Sequence, residues 1–162
     1  MISVVADEVI AAEQLSHERW MGEAIRAARK AESAGEVPVG ACVVAGGTVL
    51  AVAGNRTRTD CDPTAHAEVV ALREAAQKFG NYRLANAVVY STIEPCAMCA
   101  GALIQARVST LVYGARDDKA GAVDSHFHIC DSNQLNHRVE VISGVLEAEC
   151  RALMQEFFKD KR

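Results

Sequence analysis

Two β-branched runs, residues 39–45 and 49–53, meet at Gly46-Gly47, and this junction constrains the fold more than any other feature of the chain. Paired glycines accept the positive φ angles of a tight turn, so the runs read as antiparallel strands of a hairpin. Beyond the hairpin the pattern alternates. A helix is expected over about 64–79, with Ala67, Val70, Ala71, Leu72 and Ala75 as its apolar positions, followed by a buried-type strand at 87–91. Pro95 opens another helix running to Ala106, residues 110–113 and 139–142 read as short strands, and 146–159 as a closing amphipathic helix. Residues 114–136 are loop-like. Upstream, Ser16 with Glu18 signals a helix start, and Trp20, Ala24, Ala27, Ala28 and Ala31 recur at helical spacing until Gly35. Residues 1–14 show no sustained period and are expected to be a flexible extension, leaving 15–162 as a single domain. The sum is an α/β protein: a three-layer α/β/α sandwich around a mixed five-stranded sheet.

Composition excludes several classes. Of 162 residues half are hydrophobic and 5% aromatic, which suits one tightly packed core and excludes disorder. The net charge is −4, and up to Glu36 four basic residues face seven acidic ones, so no broad basic face is expected. The longest weakly polar stretch, 39–54, is broken by the glycine pair and falls short of the roughly 18 residues a membrane span needs. Asp7 and Glu8 sit where an export signal would need basic and apolar residues. A cytoplasmic location follows as the expectation, and with it six cysteines that act as ligands, catalysts or core fillers rather than disulfides. Neither a Walker A motif nor G-x-G-x-x-G is found, so no nucleotide cofactor is expected.

Chemistry concentrates in His66-Ala67-Glu68 and Pro95-Cys96-Ala97-Met98-Cys99, each at the start of an expected helix. Either alone says little. In this order they match H-x-E followed by P-C-x-x-C, the signature of zinc deaminases. Cys96 and Cys99 are helical neighbours and can grip one metal. His66 and Glu68 are about 200° apart on an ideal helix, so His66 must lie at or before the first full turn for both to converge. His66, Cys96 and Cys99 then bind one Zn²⁺ per subunit and leave one position open to water, the mark of a catalytic site. Glu68 is the candidate proton shuttle, not a ligand. Cys42 reads as a core filler, Cys61 as a loop thiol, His126 and His128 as a surface or substrate-facing pair, and Trp20 and Met98 as core.

At these residues the chain resembles the bacterial tRNA-specific adenosine deaminase (TadA) family, within the cytidine deaminase-like superfamily. The resemblance extends to Glu36-Val37-Pro38-Val39-Gly40-Ala41, Asp62-Pro63-Thr64-Ala65, Gly114-Ala115-Arg116-Asp117 and Leu135-Asn136-His137-Arg138-Val139, and covers roughly Leu15 onward. It implies a homodimer that converts the wobble adenosine of a tRNA anticodon loop to inosine with release of ammonia. It further implies that Asn55 and Asp117 contact the nucleotide and that Phe158, in the Phe157-Phe158 pair, meets the anticodon loop. Residues 124–134, with His126, His128 and Cys130, depart from the usual pattern. The same zinc site serves deaminases of free guanine, cytosine or cytidine, and a non-catalytic zinc-stabilised interaction module is a third reading. Glu68 separates the last: a shuttle cannot become alanine without loss of turnover.

Overall fold

A computed structural model describes residues 2–162 of the chain, with side chains from Val4 onward. Its elements run α1 (Ile2–Ser33), β1 (Gly40–Ala45), β2 (Thr48–Gly54), α2 (Ala67–Phe79), β3 (Ala87–Ile93), α3 (Ala97–Gln105), β4 (Thr110–Ala115), β5 (Glu140–Ser143) and α4 (Glu147–Lys159). The strands form one sheet in the order β2-β1-β3-β4-β5. β1 is antiparallel to β2 and β3, whereas β3, β4 and β5 are parallel. Gly46 and Gly47 take φ of 57° and 74° in the hairpin turn. The α/β/α arrangement with its mixed five-stranded sheet is the one expected.

Alternation along the strands sorts the core into two layers. Cys42, Val44, Tyr90 and Val112 face α1 and α4, where Met21, Ala24, Ile25, Ala28, Cys150 and Leu153 cover them. Val43, Val89, Leu111 and Tyr113 face α2 and α3 and meet Ala71, Leu72, Leu103 and Ile104. Period-two alternation on the strands and helical spacing on the covering elements thus bury both sheet faces. The alanine-rich face of α1 lies so close to the sheet that a Cβ at Gly40 would collide with the Ala24 carbonyl, and one at Gly54 would meet the Ala27 carbonyl oxygen at 2.8 Å. Glycine at these two strand positions is what admits the helix.

One expectation is corrected at the N-terminus. The helix does not begin at Ser16: it is continuous from Ile2, because no glycine or proline interrupts residues 2–21 and the segment is rich in alanine. Its first half packs little. Val4, Val5, Val9, Ile10 and Leu15 are all exposed, and burial begins near His17 and Trp20. α2 starts at Ala67 rather than Thr64, and the strand ends at Ala115 rather than Tyr113. Met98, expected in the core, is 37% exposed at the first turn of α3.

Candidate metal centre and active site

Helices α2 and α3 begin with residues whose backbone is not yet helical. His66 is the N-cap of α2, with φ −69° and ψ 151°, and Cys96 is the N-cap of α3, with φ −72° and ψ 175°. Neither side chain caps its own helix. The entry to α2 is shaped by Asp62, whose Oδ1 accepts from the Thr64 N–H at 2.8 Å and from the Thr64 hydroxyl at 2.7 Å, after which the His66 N–H donates to the Thr64 carbonyl. This turn swings the imidazole off the helical path, so that His66 and Glu68 converge despite their spacing.

His66 Nδ1 lies 3.5 Å from both Cys96 Sγ and Cys99 Sγ, and the three donor atoms all lie within 4.8 Å of one another. These are the only such group of three or more among the described residues. Zinc–sulfur bonds of about 2.3 Å and zinc–nitrogen bonds of about 2.0–2.1 Å, at a tetrahedral angle, would separate sulfur from nitrogen by about 3.6 Å. The donor set and its spacing therefore fit a metal ion. Electrostatics are consistent with this. Hydrogen bonding to Cys99 brings the Cys96 thiol down to about 4, and the contact with Cys96 in turn raises His66. Its bond to Cys96, then burial, then Glu68 push the Cys99 thiol up. A divalent cation would bind both sulfurs as thiolates.

Glu68 is 2% exposed and lies against the cluster. Its Oε2 accepts from Cys99 Sγ at 3.5 Å, and its Oε1 lies 3.1 Å from the Ser91 hydroxyl. Burial raises the carboxyl above its ordinary value, the direction that favours a group that takes up a proton. Ser91, on β3, was not singled out by sequence. Its hydroxyl is also 2.7 Å from the Ile93 carbonyl, so the Ser91 O–H has two acceptors in reach, the Glu68 carboxylate and the strand that leads into the cysteine motif.

The three residues expected to contact substrate are placed less tightly. Asn55 is buried at the end of β2, its N–H bonded to the Val39 carbonyl, and the next residue, Arg56, donates to the Ala65 carbonyl beside His66. Asp117 follows β4 and is half-buried. Its segment joins the donor cluster through Gly121, which pairs with Cys96, and through Ala122, whose N–H donates to the Pro95 carbonyl at 2.9 Å. Phe158 stands apart on α4. It is 47% exposed and lines a groove of about 390 Å³ with Lys119, Met154, Lys159 and Arg162, while Phe157 is buried beneath Lys161. His126 and His128 are exposed, and His126 Nε2 bonds the Asp118 carbonyl.

Two buried carboxylates, Glu36 and Glu94, lie in motifs that carry the resemblance but are given no role of their own by the sequence. Glu36 accepts from the Arg58 N–H at 2.9 Å, the Thr59 N–H at 2.7 Å and the Thr59 and Thr57 hydroxyls. Glu94 accepts from the Asp117, Val123, Asp124 and Ser125 N–H groups and from the Ser125 hydroxyl. Burial alone would raise both. The hydrogen bonds outweigh it, lowering Glu36 and bringing Glu94 down to about 2. A carboxylate abutting an X-Pro turn at the end of an apolar strand was the available signal for Glu94.

The sheet order, the two helix N-termini and the convergent His, Cys, Cys and Glu side chains define a deaminase of the cytidine deaminase-like fold. The model of the MafB19-like deaminases matches residues 15–162, and the chain belongs to that family. It is 46% identical over 146 residues to the tRNA-specific adenosine deaminase of Haemophilus influenzae, covering 90% of this chain and 84% of that one. The Bacillus subtilis enzyme of the same name is 43% identical over 145 residues, 90% of each chain. A solved structure from studies of A-to-I editing by tRNA:A34 deaminases at the wobble position superposes with a TM-score of 0.81 and 43% identity, covering 83% of this chain and 98% of that one. A guanine deaminase from Nitrosomonas europaea superposes with a TM-score of 0.72 at 28% identity, covering 86% and 83%. Within the family, the chain thus belongs with the tRNA-specific adenosine deaminases.

Proposed function

We propose that the protein is a zinc-dependent hydrolytic deaminase that converts the wobble adenosine of a tRNA anticodon to inosine. The reaction adds water to the purine and releases ammonia. The observation that carries the reading is the convergence of His66, Cys96 and Cys99 beside a buried, unliganded Glu68. His66, Cys96 and Cys99 would hold the metal, which when bound supplies a water molecule acidified enough to act as nucleophile near neutral pH. Glu68, raised by burial, accepts a proton from the attacking water, passes it to the purine ring nitrogen, and serves the departing amine in the same way. Ser91 holds one carboxylate oxygen, Oε1, in place through these transfers. Asn55, which follows edge strand β2, and Asp117, which follows β4, are assigned to the nucleotide, and Phe158 to the anticodon loop.

An acidic protein can bind this RNA because the anticodon loop is already single-stranded, so one base enters the pocket without leaving a duplex, and stacking and shape supply the affinity. A homodimer and a cytoplasmic location belong to the same proposal. Among the described residues no helix is long and apolar enough to cross a membrane. The test is incubation with an anticodon stem-loop bearing adenosine at the wobble position and, separately, with guanine, cytidine and adenosine. Inosine in the stem-loop is expected. The structural likeness to a guanine deaminase favours one second reading, a free-base deaminase, and product from guanine alone would establish it in place of the first.

A further inference from the structure

We infer that the Glu94 carboxylate is a positioning residue for substrate: it sets the register of residues 117–125, and Asp117 with them, against the Cys96 end of α3. Five donors converge on it, at 3.0 Å from Asp117 N, 3.1 Å from Val123 N, 2.7 Å from Asp124 N and 2.8 Å from Ser125 N, with the Ser125 hydroxyl as the fifth. All five are neutral. Glu94 is 1% exposed, so its charge is satisfied by four loop amides and one loop hydroxyl, with no cation among them. That is a demanding arrangement, because any loop conformation that withdraws an N–H leaves a buried charge underserved.

The packing around it is equally specific. A Cβ on Gly121 would collide with Glu94 Cδ and Oε2 and would stand 2.6 Å from the Asp117 carbonyl. Gly121 is also the residue that pairs with Cys96, and its N–H closes the turn on the Asp117 carbonyl at 2.9 Å. Asp117 Oδ1 in turn accepts from the Lys119 and Ala120 N–H groups, fixing its own side chain within that turn. The chain therefore runs from Cys96 back to Glu94 and across to Asp117 and Gly121, and the carboxylate is the hub. Glu94 touches neither the metal donors nor Glu68 by any hydrogen bond among the described residues, so it governs where substrate is held and not the chemical step.

This inference rests on the deaminase reading, and its test separates the two. Hydrogen exchange is measured on wild type, Glu94→Gln, Gly121→Ala and Ser125→Ala, alongside zinc content and steady-state kinetics on the stem-loop. In Glu94→Gln and Gly121→Ala the amides of Asp117, Val123, Asp124 and Ser125 should lose protection on the order of ten- to a hundredfold, while those of β4 keep theirs. KM should rise on the order of tenfold with kcat changed less than about threefold and zinc stoichiometric. Ser125→Ala, which removes one of five donors and keeps the fold, should shift both readouts the same way by a smaller factor. Unchanged amide protection would overturn the clamp. A fall in kcat or zinc content at constant KM would overturn the assignment to substrate. Failure of wild type to act on the stem-loop would overturn the deaminase reading alone, and the exchange pattern would still decide whether the clamp exists.

Discussion

The two sides of the site are built by different means. The chemical side, His66, Glu68, Cys96 and Cys99, stands on the first turns of two helices packed on the sheet, where residues two or three apart in sequence do the work. The side proposed to meet substrate consists of loops, residues 55–59 and 117–125, each hung on a buried carboxylate from a distant part of the chain, Glu36 and Glu94. The donor cluster and Glu68 are thus fixed by rigid elements and the loops by polar clamps, and on the proposed function the first set rate and the second binding.

The sharpest way to test this division is Glu68→Ala, expected to lower kcat by about 10³-fold or more while circular dichroism and zinc content stay those of wild type. Retained turnover would collapse the distinction at its centre. Cys96→Ser is expected to weaken zinc binding by more than about 100-fold, read by chelator competition, since a metal ligand is worth more than the 10- to 100-fold of a supporting hydrogen bond. Ser91→Ala should lower kcat by about tenfold with KM unchanged, because it frees Glu68 Oε1 without touching the loops.

On the other side, Glu36→Gln should raise KM about three- to fivefold and leave kcat nearly constant. It also carries a pH signature. The Glu36 carboxyl is lowered in the folded protein, so its contribution to stability is complete above the ordinary value of 4.5 and disappears as the pH falls through the folded value. Wild type should lose more unfolding free energy than Glu36→Gln on acidification below 4.5, measured by urea melts. The smallest effect is expected from removing residues 1–14, where the exposed half of α1 touches neither side: kcat and KM should stay within about twofold.

Much of the chemical side was legible because its geometry is local. The spacing of His66 and Glu68 already required a non-helical entry, and the structure has one at the N-cap of α2. The glycine pair 46–47 announced the hairpin in the same way, through a backbone requirement of two adjacent residues. Ser91, Glu36 and Glu94 carry no such mark. Their partners lie 21–31 residues away, and no periodicity encodes which loop a buried carboxylate will meet. Met98 misled for a related reason: an apolar residue on an apolar helix reads as core, yet the turn beside Cys96 faces outward.

Sequence alone determined the sandwich, the hairpin and the set of donor atoms, since strand alternation, helical spacing and turn chemistry act between near neighbours. The tertiary structure alone decided that α1 runs on to Ile2, and that two buried carboxylates, Glu36 and Glu94, gather the loops at 57–59 and 117–125. The reason is that burying a charge is favourable only when remote amides arrive together to receive it, and that arrival is a property of the folded chain.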